Sequence, residues 1–335
     1  MNDGTVVAVV PRPLADDFDV RADSQGVLGR LRLHVDENPA SDDPELRIAE
    51  ILITGISTQT ASPNDLARAM PHLRWIHSMT AGVEELVSEG LLERQVLVTS
   101  GAGAYATAIA EYAFAAMVML CRRIPELIAA HERHRWLEGH PLGSELAGKC
   151  VGIVGYGGIG RRLARLCAGA GMTVWGLRRR PVDTDREGPA ERVMVFDELS
   201  ELLGASDFVV LAASLNPSSR RLLGSAQFEA MKPGAFLVNV SRGDLIDEAA
   251  LGSCLASGRL GGAVLDVSTL EPLPESSELW RLSDLWITPH MSGGTIESRR
   301  RAFDILLTNV RHYLAGHFES MLNLVDLQHE LARDA

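Results

Sequence analysis

The sequence predicts an α/β protein with two lobes, each built on a doubly wound parallel sheet that helices cover on both faces. Three observations support this fold class. Short aliphatic or β-branched runs alternate with helical patterns along most of the chain, a glycine-rich turn joins an apolar run to a helix at residues 151–167, and 335 residues are enough for two domains. Parallel strands need such crossover helices, because a tight hairpin only reverses the chain.

The first hundred residues predict four strands with helical segments between them. A helix is expected at Asp65–Met70, because Pro63-Asn64 and Pro71-His72 supply boundary signals on either side of it. The predicted strands are Thr5–Val10, Glu50–Thr54, Trp75–Ser78 and Val96–Thr99.

The stretch Ala106–Cys121 predicts a long helix in which Glu111 is the one charged residue. A helix that is apolar on nearly all sides is usually buried between layers or domains. We therefore expect this helix to cross from one lobe to the other. The polar and aromatic stretch His131–Pro141 is expected to be a loop or a frayed helix end.

A dinucleotide fingerprint follows at residues 151–160. A strand is expected at Val151–Val154, and Gly155, Gly157 and Gly160 come immediately before or at the start of a helical pattern. In this motif the first glycine makes a tight turn, the second lets the backbone approach a pyrophosphate, and the third lets helix and strand pack closely. The free N–H groups of the helix start would bind the phosphates. An ordinary glycine-rich turn is the alternative interpretation.

The pattern after residue 150 is regular and indicates a doubly wound, Rossmann-like sheet. Helices are expected between most strands, for example at Asp247–Ala256, and a long helix at Ile296–Leu314 precedes a short extended tail at Leu322–Val325. We assign 101–290 to a dinucleotide-binding domain, and 1–100 with 291–335 to a substrate domain. The predicted strands are Val151–Val154, Thr173–Leu177, Phe208–Leu211, Ala235–Asn239, Gly262–Leu265 and Leu285–Thr288.

Charge, hydropathy and cysteine spacing argue against several classes of function. The formal net charge of −12 argues against nucleic acid and anionic membranes as partners. The chain has no apolar run of the roughly 18 residues that a membrane span needs, and its N-terminus lacks the basic segment of a signal peptide, so we expect a cytoplasmic protein. No metal site is expected. Four cysteines without metal-binding or redox spacing are interpreted as reduced thiols in or near the core: Cys121, Cys150, Cys167 and Cys254.

Four ordered blocks carry a resemblance to a known family. They are Gly143–Lys149 before the glycine turn, Val238–Asp247, Leu265–Pro274 and Thr288–Gly294. With these blocks at this spacing, the chain resembles the D-isomer-specific 2-hydroxyacid dehydrogenases, and among them the glyoxylate/hydroxypyruvate reductases. The resemblance implies a split two-lobe architecture, hydride transfer between a nicotinamide cofactor and a 2-keto or 2-hydroxy acid, and a homodimer.

The resemblance also implies a catalytic trio of Arg242, Glu271 and His290. They match the arginine of the family's N-x-x-R-G block, the glutamate before proline and the histidine of the T-P-H block. The chemistry of these side chains suits the roles. A guanidinium binds carboxylate and carbonyl oxygens as a fork, and a histidine oriented by a carboxylate is a general acid near neutral pH. A surface turn residue, a solvated loop acid and a strand-end histidine are the alternative interpretations.

Further site residues follow from the same resemblance. The turn formed by Met79, Thr80, Ala81 and Gly82 resembles the family's substrate-carboxylate loop, with an ordinary strand-to-helix turn as the alternative. Asp266 matches the aspartate on the nicotinamide side, with a strand-end cap as the alternative. The remaining expected cofactor contacts are Ile159, Ser214, Val240 and Ser241.

The residues after the second strand of the dinucleotide domain decide between the two nicotinamide cofactors. NAD-specific relatives carry an acid there for the ribose hydroxyls, whereas this chain has Arg178, Arg179 and Arg180, with no acid before Asp183. Arginine binds a 2′-phosphate through two parallel hydrogen bonds. We therefore expect a preference for NADP(H), with NAD(H) as the alternative cofactor that the same turn would still accept.

Two classes of function remain open at this point. The first is an enzyme that reduces a small-molecule 2-keto acid, with His290 as general acid/base and Arg242 as the anchor of the carboxylate or carbonyl group. The second is a dinucleotide-sensing binding scaffold of the corepressor type, which retains the fold and much of the site. Turnover of any 2-keto acid discriminates between them.

Overall fold

The computed structural model describes residues 5–11, 14–15, 28–35, 43–55, 62–83, 86–139, 143–179 and 188–334. The chain divides into two units. The discontinuous unit consists of Met1–Tyr105 with Thr295–Ala335, and the continuous unit consists of Ala106–Gly294. Each unit has a parallel sheet with helices, which confirms the predicted fold class.

Strands and helices alternate along both units, as the sequence pattern predicts. The strands are β1 (Val6–Val10), β2 (Leu31–Val35), β3 (Ile51–Thr54), β4 (Trp75–Ser78), β5 (Leu97–Ser100), β6 (Cys150–Val154), β7 (Thr173–Leu177), β8 (Arg192–Met194), β9 (Phe208–Leu211), β10 (Phe236–Asn239), β11 (Gly262–Leu265) and β12 (Leu285–Ile287). The α-helices of the described residues are α1 (Pro44–Ile48), α2 (Pro63–Ala69), α3 (Glu89–Glu93), α4 (Ala106–Cys121), α5 (Ile124–Glu132), α6 (Gly158–Gly169), α7 (Leu199–Ala205), α8 (Ser225–Ala230), α9 (Glu248–Ala256), α10 (Ile296–Ala315) and α11 (Leu327–Asp334).

The sheet of the discontinuous unit has the strand order β2-β1-β3-β4-β5, and its strand pairs are parallel. β3 and β4 are buried along their whole length, as strands with both faces covered must be. Helix α10 packs Phe303 and Leu306 into the same core cluster as Trp75 of β4. The expected extended tail follows α10, where Leu324 forms an antiparallel bridge with Thr99 of β5.

The sheet of the continuous unit has the order β12-β11-β10-β9-β6-β7-β8, again with parallel pairs. The unit starts its sheet at β6, adds β7 and β8 on one side, and then adds β9 to β12 on the other. The strand order therefore reverses between β6 and β9, and such a reversal is where open α/β sheets bind ligands. Helix α4 buries Ala110, Ala113 and Met117 in the core cluster that backs this sheet.

Two edge strands and the helices α5 and α11 go beyond what the sequence pattern predicts. β2 and β8 lie at the edges of their sheets, and each of them has only one buried residue. Helix α5 includes the first two residues of the stretch predicted as a loop or frayed end, and residues 133–139 after it are irregular. The last two residues of that predicted stretch, 140 and 141, lie outside the described residues. In the described part of the chain, no helix is long and apolar enough to cross a bilayer.

Candidate active site

The glycine turn between β6 and α6 lies where the strand order reverses. Gly155 has a φ of +105°, and a Cβ there would overlap the backbone of Ala212 and Ala213 after β9. A Cβ on Gly160 would stand 2.5 Å from the Gly155 carbonyl oxygen. A Cβ on Gly157, in contrast, would meet no described atom within 4 Å. The turn therefore leaves open space in front of the first N–H groups of α6, and this space fits a phosphate.

The start of α6 and the end of β7 carry three of the expected cofactor residues. Ile159 is half-buried in the first turn of α6. Arg178 directly follows β7 and is half-buried, and Arg179 after it is exposed. Two guanidinium groups thus follow the second strand of this sheet, the place that holds the ribose in dinucleotide-binding folds. Arg180 and Asp183 lie outside the described residues.

Ser214, Val240 and Ser241 follow β9 and β10, which continue the sheet from β6. The Ser241 hydroxyl donates to the Ala213 carbonyl oxygen, and the Val240 N–H donates to the Leu211 carbonyl oxygen at 3.2 Å. These bonds join the carboxyl ends of the two strands. Val240 and Ser241 are buried and Ser214 is exposed, so Ser214 has the side chain that a ligand can reach most directly.

Arg242 stands in the turn after β10. Its carbonyl oxygen accepts from Nδ2 of Asn239 at 2.9 Å, and its Nη1 donates to the Ser241 carbonyl oxygen at 2.9 Å. The next residue, Gly243, lies so close to the Ser268 backbone that a Cβ would overlap the Ser268 carbonyl group. The turn that carries Arg242 is therefore packed directly on the segment that leads to Glu271.

His290 and Glu271 are joined by a hydrogen bond of 2.7 Å between Nδ1 of the histidine and Oε2 of the glutamate. Oε1 of Glu271 accepts from the Ser268 N–H at 3.0 Å. Because an ionised carboxylate only accepts, Nδ1 carries a proton, and Nε2 is the nitrogen that can gain or release one. Half of the histidine side chain is exposed (50%), so a small molecule can reach the ring.

The residues Thr288–Ser292, here called the histidine turn, hold His290 at a φ of +51°, which is uncommon outside glycine. The buried Asp266 fixes this turn. Its carbonyl oxygen accepts from the His290 N–H at 2.8 Å, and its carboxylate accepts from Met291 N–H at 2.9 Å and from Ser292 N–H at 2.8 Å. The Thr288 hydroxyl adds a bond of 2.7 Å to Oδ1. A contact between Asp266 and a nicotinamide stays a prediction of the resemblance.

The structure brings Arg242, Glu271 and His290 to the carboxyl ends of three neighbouring strands, β10, β11 and β12. The glycine turn after β6 and Arg178 after β7 lie along the same edge of the sheet. This edge therefore presents a cation, a histidine–carboxylate pair and a space that fits a phosphate. Such an arrangement suits proton transfer to or from an anionic substrate beside a bound dinucleotide.

The turn Met79–Gly82 lies in the discontinuous unit, at the carboxyl end of β4. The Tyr105 hydroxyl donates to the Met79 carbonyl oxygen at 2.6 Å. Met79 is buried, whereas Thr80 and Ala81 are exposed. The start of the turn is thus fixed on the unit's core, and its tip is open to solvent.

The cysteines offer no activated nucleophile. All four thiols are free, and burial raises the pKa of each of them, that of Cys167 to about 12. Because the thiolate is the reactive form, these side chains stay protonated and unreactive near neutral pH.

The sequence does not predict a contact between helix α4 and the histidine turn that the structure shows. The Tyr112 hydroxyl of α4 lies 2.6 Å from Oγ1 of Thr288. The sequence gives only a weak signal for this contact: Tyr112 is the one tyrosine of an otherwise mostly apolar helix, and Thr288 stands two residues before His290.

Comparison with known proteins relates the chain to a family of dehydrogenases. The family model described as "D-isomer specific 2-hydroxyacid dehydrogenase, NAD binding domain" matches residues 114–292. Among curated relatives, D-3-phosphoglycerate dehydrogenase of Methanocaldococcus jannaschii is 29% identical over 287 residues, which cover 85% of this chain and 54% of the relative. The chain therefore spans about half the length of that relative.

Two further relatives match over most of their length. Glyoxylate reductase/hydroxypyruvate reductase of Mus musculus is 34% identical over 257 residues, which cover 75% of this chain and 77% of the relative. The crystal structure of a glyoxylate reductase from Paecilomyes thermophila has a TM-score of 0.84 and 27% identity, and the match covers 97% of this chain and 99% of that one.

Proposed function

The chain belongs to the D-isomer specific 2-hydroxyacid dehydrogenase family, and from that premise we propose that it reduces a 2-keto acid to a D-2-hydroxy acid with NADPH. The observation that carries this proposal is the 2.7 Å hydrogen bond between Nδ1 of His290 and Oε2 of Glu271, at the sheet edge that also holds Arg242. The continuous unit binds the cofactor in this proposal, and the turn Met79–Gly82 of the discontinuous unit binds the substrate carboxylate. The names of the relatives make glyoxylate and hydroxypyruvate the first substrates to test.

In the proposed reaction, Nε2 of His290 donates a proton to the keto oxygen as a hydride reaches the keto carbon. The C=O double bond becomes a C–OH single bond, and the imidazolium becomes a neutral imidazole that takes a new proton from solvent. Glu271 fixes the orientation of the ring through Nδ1. In the oxidation direction the neutral Nε2 accepts the hydroxyl proton.

Arg242 is the proposed anchor of the substrate. A 2-keto acid carries a carboxylate beside its keto group, and a guanidinium can bind two oxygens in one plane. Because the chain has a formal net charge of −12, an anionic substrate needs a local cation of this kind. The positive charge near the keto oxygen also stabilises the negative charge that develops there during reduction.

The glycine turn and the residues after β7 are the proposed cofactor contacts. A bound nicotinamide dinucleotide supplies the hydride. Gly155, Gly157 and Gly160 shape the space for its pyrophosphate, and Arg178 and Arg179 bind the 2′-phosphate that distinguishes NADP(H), with NAD(H) as the alternative cofactor. A homodimer is a further expectation from the family resemblance, and a cytoplasmic location is an expectation from the hydropathy and cysteine pattern of the sequence.

The test is NADPH oxidation in the presence of glyoxylate, hydroxypyruvate, pyruvate or phenylpyruvate, with NADH and a His290→Gln variant in parallel. Turnover that the variant loses by about a hundredfold or more supports the proposal. A variant as active as the parent contradicts the assigned proton donor. The absence of turnover with every acid and both cofactors, combined with tight NADPH binding, would favour the dinucleotide-sensing scaffold instead.

A further inference from the structure

A hydrogen-bond network of three side chains, Tyr112, Thr288 and Asp266, links helix α4 to the histidine turn. The Tyr112 hydroxyl lies 2.6 Å from Oγ1 of Thr288, and the Thr288 hydroxyl lies 2.7 Å from Oδ1 of Asp266. Asp266 is completely buried, and its carboxylate also accepts two N–H groups of the histidine turn. The network therefore begins at Tyr112 in helix α4 and ends at the N–H groups of Met291 and Ser292, next to His290.

The direction of these hydrogen bonds follows from the groups that form them. A carboxylate that accepts from backbone N–H groups is an acceptor, so the Thr288 hydroxyl, which has a single proton, donates its hydrogen bond to Asp266. The Thr288 oxygen is then left to accept, and Tyr112 is the donor. Burial raises the pKa of Tyr112, which keeps the phenol protonated. Without the Tyr112 hydroxyl, the Thr288 hydroxyl would keep only its bond to Asp266 and would lose the second bond that fixes its position.

Helix α4 gives this hydrogen-bond network a rigid starting point. Ala110 and Ala113, on either side of Tyr112 in the sequence, are buried in one of the core clusters of the continuous unit, and Tyr112 packs against that cluster. The histidine turn needs such support, because a left-handed backbone at a residue other than glycine costs free energy and persists only where its surroundings fix it.

We propose that Tyr112 is a positioning residue, which acts on His290 through Thr288 and Asp266. The tyrosine hydroxyl fixes the threonine hydroxyl, the threonine fixes the buried carboxylate, and the carboxylate fixes the turn from which Nε2 of His290 meets the substrate. This inference rests on the proposed function, since it concerns the histidine that donates the proton there.

The first test is a set of variants along the chain. Tyr112→Phe keeps the ring, and we expect kcat to fall about three- to tenfold, the effect of one hydrogen bond, with a smaller change in KM for the keto acid. The solvent deuterium isotope effect on kcat rises, because a displaced histidine transfers its proton more slowly. Thr288→Val is slower than the parent, Thr288→Ser regains most of kcat, and Tyr112→Phe adds no further loss to Thr288→Val.

The second test needs no turnover. We expect amide hydrogen exchange in peptides that cover residues 288–294 to be faster in Tyr112→Phe and Thr288→Val than in the parent. The control is Tyr313→Phe, which removes a hydroxyl that bonds Oε2 of Glu50 at 3.0 Å in the discontinuous unit and leaves exchange in this peptide unchanged.

Two results overturn the inference. One is parental exchange at residues 288–294 in Tyr112→Phe, and the other is a double variant in which the two losses of kcat add. If the parent itself turns over no 2-keto acid with either cofactor, the proposed function fails, whereas the exchange experiment still decides whether Tyr112 holds the histidine turn.

Discussion

Gly243 and Ser268 meet backbone to backbone, so that a Cβ on the glycine would overlap the serine carbonyl group. Gly243 directly follows Arg242, and the N–H of Ser268 donates to the Glu271 carboxylate at 3.0 Å. This contact between two main chains therefore sets the spacing between the turn that carries the cation and the loop that carries the carboxylate.

Gly243→Ala tests this contact. Because the methyl group would meet backbone atoms that no rotamer change can move, we expect a loss of about 1–3 kcal/mol in the free energy of unfolding and a large loss of kcat/KM. The control is Gly252→Ala in α9, whose Cβ would lie 3.7 Å from Leu282. It should keep the parental activity and gain up to about 1 kcal/mol of stability. Urea unfolding and initial rates measure both, and a fully stable, active Gly243→Ala would refute the argument.

Gly157→Ala separates cofactor binding from folding. The methyl group would meet no described atom within 4 Å, and the φ at this position is negative, at −100°, so the melting temperature should stay close to that of the parent. The methyl would enter the space that fits the pyrophosphate, and we expect the Kd for NADPH to rise about tenfold or more, the effect of 1.4 kcal/mol. Fluorescence titration measures it, with Gly169→Ala at the other end of α6 as control. An unchanged Kd would argue against this placement of the pyrophosphate.

Arg178→Asp tests the preference for NADP(H). An aspartate repels a 2′-phosphate and accepts hydrogen bonds from ribose hydroxyls. We expect the ratio of kcat/KM for NADPH to that for NADH to fall about 10- to 100-fold, the effect of one charge-assisted hydrogen bond. Arg281→Ala, which removes an exposed arginine paired with Glu278, should leave the ratio unchanged. An equal loss with both cofactors would mean that Arg178 does not discriminate between them.

Glu271→Gln tests the partner of the histidine. The amide keeps the size of the side chain but removes the charge that holds Nδ1 of His290, and we expect kcat to fall about 10- to 100-fold. Thermal unfolding should change little, because the glutamate is partly exposed (38%). Glu278→Gln, at an exposed ion pair, is the matched control. Parental kcat in Glu271→Gln would show that the pair does not take part in the reaction.

His77 makes the stability of the discontinuous unit depend on pH. It is completely buried in β4, and burial lowers its pKa from 6.5 to about 3. Since the folded pKa lies below the unfolded one, the unfolded chain binds the proton first as the pH falls. As the pH falls from the unfolded pKa of 6.5 toward the folded pKa of about 3, the free energy of unfolding therefore decreases by roughly 1.4 kcal/mol per pH unit.

His77→Asn should remove this dependence. Asparagine keeps a polar atom near Oγ1 of Thr99, to which Nδ1 of His77 is bonded at 2.8 Å, and it does not titrate. Urea unfolding at about pH 7 and pH 4.5 should thus give a smaller difference in the variant than in the parent. His72→Asn, an exposed site, should keep the parental difference. The same difference in His77→Asn as in the parent would disprove the assignment.

The sequence predicts the buried strands well and misses elements with little apolar surface. β4, β7, β9 and β11 begin and end at the predicted residues. Of these strands, β4, β9 and β11 are buried along their whole length, and strands buried on both faces read as largely apolar runs. In β2, the polar residues Arg32 and His34 alternate with apolar ones. β8 has only three residues, and Arg192 is the first of them. The sequence of such an edge strand resembles that of a loop, because its extended conformation depends on hydrogen bonds to one neighbouring strand.

The sequence motifs identify the three candidate catalytic residues but cannot show how they are held. Glu271 and His290 are separated by 19 residues, and Tyr112 and Thr288 by 176. Bonds over such distances depend on strand order and on the turns after the strands, which no local pattern records. The left-handed backbone of His290 is likewise a product of four hydrogen bonds to Asp266 and not of the residue itself.

The tail after α10 has a consequence for the order in which a new chain folds. Nδ2 of Asn323 donates to the carbonyl oxygens of Ser100 and Ala102 at 2.9 Å each. Synthesis proceeds from the N-terminus, and domains generally fold as units as they emerge. The whole continuous unit therefore leaves the ribosome before the tail residues that bond to the edge of β5 have been synthesised. The edge of a sheet whose strands are translated before the continuous unit is therefore covered by residues that are translated after that unit.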